Sequence, residues 1–343
     1  MSRSLSVLDI PYVMEGQSSS DSIAVSVQMA KVAESLGYER VWFAEHHNAA
    51  SLSNGSPEIM IAHVANHTER IRLGAGGIML PNQAPLKVVE TFRLLNAINP
   101  GRIDLGLGRA PGTDTKTALA LRRNPDALNA DDYPQNVAEL LAFDSGDFPE
   151  GHLFSTISAI PADTPLPPVW LLGSSAFSGQ LAAHMGLGFS FASHINRPMA
   201  TQVMRYYRDN FQPSQYRESP HSILAVSIVL GETEQKAEEW ASIVRLSLYR
   251  LITGRIGTYK VPSLEEAMAF KIPDHAMLQM GQMLQNHIVG TPEGVAQEVK
   301  ALADETGADE VMISSWIPQP EHREFTLREF RKAWDTIDVT IDE

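Results

Sequence analysis

None of the 343 residues is cysteine. That removes disulfides, thiol nucleophiles, zinc–thiolate sites and iron–sulfur clusters together. Chemistry has to come from histidine, carboxylates, serine, arginine or a bound cofactor. Basic residues are also in short supply: 27 Lys and Arg against 41 Asp and Glu leave a formal charge of −14. A chain of that sign has no general attraction for nucleic acid or for anionic lipid. No stretch reaches the roughly 18 consecutive apolar residues of a membrane span. The opening MSRSLSVLDIPYV lacks an apolar signal core and a cleavage site, so a cytoplasmic location is expected. Three catalytic signatures are missing as well. There is no G-x-S-x-G nucleophile elbow. His63 and His67 have i, i+4 spacing, but HVANH lacks the Glu of HExxH, and the pair reads as structural and metal-free. GLGRAPG looks like a dinucleotide loop, yet Pro111 follows at once and no helix starts after Gly108.

What is present is alternation. Short apolar, β-branched runs at 5–9, 40–44, 71–80, 102–107, 168–172, 188–192, 223–230 and 310–314 are separated by segments of helical period. Such alternation predicts parallel βαβ units, and near-continuous apolar strands suit a sheet covered on both faces. Eight strands in a chain of this length predict a (β/α)₈ TIM barrel forming one domain over 1–343. Two connections exceed ordinary loops, about 125–167 and about 254–290. The second follows strand 7, and its Met and Leu content predicts a lid insertion over something apolar.

In a TIM barrel the C-terminal strand ends carry the chemistry. Strand 2 ends in Glu45-His46-His47. On extended chain Glu45 and His47 share one side and His46 takes the other, which argues against a one-strand metal site. Strand 3 contains Gly76 and Gly77, where a bulge or the close approach of a flat ring is expected. Strand 4 ends at Arg109, a candidate phosphate or carboxylate clamp. Strand 5 runs into a helix through Gly173, Ser174, Ser175 and Ser178, either an anion site or simple N-capping. Adjacent strands would let Arg109 and the serine turn meet on one phosphate.

Five stretches, GYERVWFAEHHN, IRLGAGGIMLPNQAPLKVVE, INPGRIDLGLGRAPGTD, PVWLLGSSAFSGQLAAHMGLG and VGTPEGVAQEVKALADETGADEVMI, resemble the bacterial luciferase-like flavin monooxygenases in order and spacing across nearly the whole chain. The resemblance implies a TIM barrel that uses reduced FMN, delivered by a separate flavin reductase, and O₂ to oxygenate a small-molecule substrate. It implies a homodimer. It makes Arg109, Gly173, Ser174, Ser175 and Ser178 the phosphate site and His46 the catalytic histidine, with Glu45 expected to orient a histidine or balance its charge. It places Gly76-Gly77 where luciferases carry a non-proline cis peptide beneath the flavin ring. Gly108 stands where luciferases have cysteine, and the tryptophan they carry near Ser193 is missing, which points to a non-luminous member. Two other readings of the fold remain: a deazaflavin-dependent hydride-transfer enzyme, or a flavin-binding protein without catalysis. His46, with an ordinary pKa of about 6.5, is expected to move protons near neutral pH.

Overall fold

A computed structural model of the chain describes residues 3–125, 132–254 and 259–339. Eight parallel strands close on themselves: β1 (Ser4–Asp9), β2 (Arg40–Phe43), β3 (Arg72–Met79), β4 (Ile103–Gly108), β5 (Val169–Gly173), β6 (Gly188–Ala192), β7 (Ser222–Leu230) and, last in sequence, β9 (Glu310–Ser314). β9 lies between β7 and β1 and completes the ring. The fold is a (β/α)₈ TIM barrel. Helices α1 (Ser19–Ser35), α2 (Pro57–Ala65), α3 (Pro85–Ile98), α4 (Thr115–Arg122), α5 (Tyr133–Ser145), α6 (Ala176–Met185), α7 (Ser193–Asn196), α8 (Ala200–Asp209), α9 (Glu234–Ile252), α10 (Leu264–Ala269), α11 (Asp274–Gln285), α12 (Pro292–Thr306) and α13 (Pro320–Val339) fill the connections.

Local signals set the helix ends. Ser18 caps α1 and Asp21 reaches back to the Ser18 N–H, a reciprocal capping box. α2 and α12 start Ser-Pro and Thr-Pro, with proline where no N–H is needed. Gly146, Gly186 and Gly307 end α5, α6 and α12 at positive φ.

The barrel is filled by Leu8, Trp42, Ala44, Trp170, Ile223, Ala225 and Met312. Trp42 and Trp170 meet edge to face at 5.6 Å. Glycines opposite make room for them: a Cβ on Gly74 would lie 2.6 Å from Trp42, and one on Gly188 2.4 Å from Trp170. The N-terminal end is plugged by charge. Arg40 donates to Asp104 at 2.7 Å and to Glu310 at 2.8 Å, and Arg72 to Asp104 at 2.5 Å. Burial pushes both carboxyls up, but the guanidiniums outweigh it and hold them below the ordinary range.

A ninth strand stands outside the ring. β8 (His287–Gly290) pairs only with Ser227–Leu230, the upper half of β7, whose lower half pairs with β9. The described part of the 254–290 segment contains helices α10 and α11 and ends in β8.

Candidate active site

β2 stops at Phe43, and the next residues cross the barrel mouth in extended chain. Asn54 pins them by donating to the Ala44 carbonyl at 2.9 Å. The loop after β4 grips the other side: His47 N–H donates to the Gly112 carbonyl at 3.2 Å, and Thr113 Oγ1 to the His47 carbonyl at 3.1 Å. Gly112 has φ +65°, and a Cβ there would lie 2.9 Å from the Glu45 carbonyl, so this contact requires glycine.

Glu45 is buried, and both its oxygens are engaged. Oε1 bonds His47 Nε2 at 2.9 Å, and Oε2 accepts from the Met79 N–H at 2.9 Å. The carboxylate supports His47, not His46. That follows from the alternation of extended chain. His46 turns the other way, half-buried, with a buried Nδ1 that has no hydrogen-bond partner. Burial, then the nearby His47 and His194, push its pKa down to about 4. The expectation of a histidine titrating near neutrality is thus corrected, because desolvation disfavours the imidazolium.

β3 breaks register with β4 between Ala75 and Ile78. Gly76 and Gly77 occupy the bulge, joined by a cis peptide. Arg109 is exposed at the end of β4 and forms no ion pair among the described residues. Its guanidinium lies 4.5 Å over the Phe177 ring, in the first turn of α6. Ser175 is the N-cap of α6 but makes no capping bond with its side chain. The N-capping alternative is therefore not realised, and the first-turn N–H groups face outward without a side-chain acceptor. Ser174 is held through its carbonyl, which accepts from Asn196 Nδ2 at 3.0 Å. Ser178 is buried against Gly173, where a Cβ would lie 2.0 Å from Ser178 Oγ. Arg109 and the serine turn are brought together, and the Glu45–His47 pair joins them through Met79, which pairs in register with Gly108.

Beside the mouth lies a cavity of about 640 Å³. His46, Tyr12, Leu52, Leu251, Val261 and Trp316 are among the side chains that line it. Two further histidines carry no role in the sequence reading. His194, in α7, contacts the Ala225 carbonyl through Nδ1 at 3.3 Å. His287, on β8, bonds Ser227 through Nδ1 at 2.8 Å and packs edge-on to Trp316. Burial lowers both, His287 to about 4. The sequence places His194 at the end of strand 6, as the structure has it; His287 lies on a strand without its own sequence signal.

The profile of the family described as luciferase-like monooxygenase matches residues 8–310. This chain belongs to the luciferase-like monooxygenase family. A luciferase-like monooxygenase of Escherichia coli K12 is 37% identical over 96% of each chain. The N-acetyl-S-alkylcysteine monooxygenase of Bacillus subtilis 168 is 32% identical over 87% of this chain and 88% of its own. The solved structure of apo-MsnO8 superposes with a TM-score of 0.88 at 33% identity, covering 97% of this chain and 98% of that one. In this luciferase-like monooxygenase no helix of the described residues is long and apolar enough to cross a membrane. Among the described residues no cluster of His, Asp and Glu is arranged to hold a metal ion.

Proposed function

We propose that this chain is the oxygenase component of a two-protein system: it takes reduced FMN from a separate flavin reductase and uses O₂ to oxygenate a small organic substrate. One observation carries the reading. An unpaired Arg109 lies over the first turn of a helix whose N-cap serine leaves its hydroxyl free. Cation, hydroxyls and first-turn N–H groups together match a terminal phosphate. The orphaned His46 Nδ1 and the glycine bulge of β3 fit the rest of a planar, phosphorylated cofactor.

Bound reduced flavin would supply the electrons for O₂ activation. The chain supplies the surroundings. Arg109, Ser174 and Ser175 bind the phosphate. Gly76 and Gly77 present backbone to the ring. His46, uncharged at neutral pH, accepts or relays a proton through its imidazole, and Glu45 fixes the neighbouring His47. The apolar cavity wall excludes water from the reacting atoms. Ser247, Arg250 and Leu251 of α9, with Tyr259 to Pro262 beyond it, form the roof.

The working form is proposed to be a cytoplasmic homodimer. The neighbouring helices α2 and α3 expose Ile59, Leu94 and Ile98, at 65%, 53% and 62%, an apolar face suited to a second copy.

The deciding experiment supplies reduced FMN and a reduced deazaflavin in turn, with and without O₂, and follows product from candidate substrates. Oxygen-dependent turnover with FMN is expected. Turnover that persists without O₂ replaces this reading with hydride transfer, and flavin binding without turnover on any substrate favours a non-catalytic binder.

A further inference from the structure

We propose that the substrate carries a carboxylate or an equivalent anionic head, held by the ammonium of Lys260 at the roof of the cavity. The inference deepens the function proposed above and rests on it only in taking this cavity as the substrate site.

Three formally charged side chains line the cavity besides its histidines, and two of them are satisfied by the protein itself. Asp114 caps α4, accepting from the Lys116 and Thr117 N–H groups, and also from Asn48 Nδ2 at 2.9 Å. Arg250 pairs with Glu266, outside the lining, and stacks on the Tyr259 ring at 4.6 Å. Lys260 differs. It is half-buried and lines the cavity, and it has no carboxylate partner among the described residues. Its Nζ donates to the Gln17 carbonyl at 2.7 Å. An ammonium has three donors, so two remain for a ligand. In a chain of charge −14, a cation beside an apolar wall with no counter-ion among the described residues is conspicuous.

Lys260 is also fixed. Val261 N–H donates to the Val13 carbonyl at 3.1 Å, and the Lys260 carbonyl accepts from Arg250 Nη1 at 3.4 Å. Backbone bonds thus hold the stem whichever residue stands at 260. Ile10, Leu52, Leu251 and Trp316, the apolar part of the wall, ask for an apolar body, and His46 lies on the same cavity. An amphipathic acid meets both demands: its head on Lys260, its hydrocarbon part in the pocket. The phosphate of the proposed cofactor does not compete, because Arg109 and the serine turn are outside this lining.

The test uses octanoate and 1-octanol as probes of equal chain length, titrated calorimetrically into the wild type, Lys260→Met and Lys260→Arg, with FMN titrated into each as a separate arm. The wild type is expected to bind octanoate about 10-fold or more tighter than 1-octanol, the effect of one charged hydrogen bond. Lys260→Met is expected to erase that preference with little change for octanol, and Lys260→Arg to retain it. FMN binding should be the same in all three. Equal binding of the two probes by the wild type, binding of neither, or a preference that survives in Lys260→Met would each overturn the proposal. Failure of FMN to bind the wild type would instead count against the flavin reading, whatever the probes do.

Discussion

Glu45 and His47 hydrogen-bond to each other at 2.9 Å, and the residue between them, His46, points away with one ring nitrogen buried and unbonded. The two histidines therefore have different work. His46→Ala should leave FMN affinity nearly unchanged and slow turnover by about 10²–10⁴-fold, the usual contribution of a positioned acid or base. An unaltered rate would make His46 structural. Stopped-flow turnover beside an equilibrium FMN titration reads both quantities.

Glu45→Gln is expected to act on stability as well as rate. It removes a buried charge that the His47 ring and the Met79 N–H both use. A loss of about 1–3 kcal/mol in a urea titration is expected. Unchanged stability would show that the neutral amide serves these bonds equally well.

Arg109→Ala should weaken FMN binding by about 1.5–3 kcal/mol, the range for a hydrogen bond to a charged group. Ser175→Ala makes a sharper companion. An N-cap serine usually costs about 1 kcal/mol of stability when removed. This one makes no capping bond, so the melting temperature should barely move while FMN affinity falls. A lowered melting temperature in apo protein would restore the capping role and weaken the case for an anion site.

Acid should destabilise the protein in a defined window. His46 and His287 are both depressed from 6.5 to about 4. As pH falls past 6.5 the unfolded chain takes up protons at these positions, and the folded protein resists until about 4. The stability they contribute is complete above 6.5 and is lost between 6.5 and 4. A shift of one pKa unit is worth about 1.4 kcal/mol, so each group accounts for on the order of 3 kcal/mol, less for His46 after solvent screening. Unfolding free energy measured across that window should fall steeply, and His287→Gln should flatten the fall.

Much of this was readable before the structure. The barrel strands announce themselves because both faces are covered and the runs are apolar throughout, as in Ser222–Leu230. Alternation alone places Glu45 and His47 together. What stayed hidden depends on contacts distant in sequence. β8 is four residues that follow α11 without a turn signal, and only the overlong β7 beside it makes them a strand. The low pKa of His46 comes first from burial, then from His47 and the distant His194, and only His47 is its neighbour in the chain. Adjacent strands put Arg109 near the serine turn, but that its guanidinium would settle over the Phe177 ring is a detail of packing. A lone lysine in a loop such as Lys260 looks like any other in sequence; that no carboxylate among the described residues pairs with it shows only in three dimensions.

The outlying strand has a consequence for how such enzymes diversify. β8 returns the chain to the wall through the upper half of β7, while β9 closes the ring through the lower half. The stretch between α9 and β8 is thus moored at both ends to a barrel whose closure it does not share. With Val261 N–H bonded to the Val13 carbonyl as its inner tether, a graft of this stretch between homologues that keeps that tether is expected to transfer substrate preference without refolding the host.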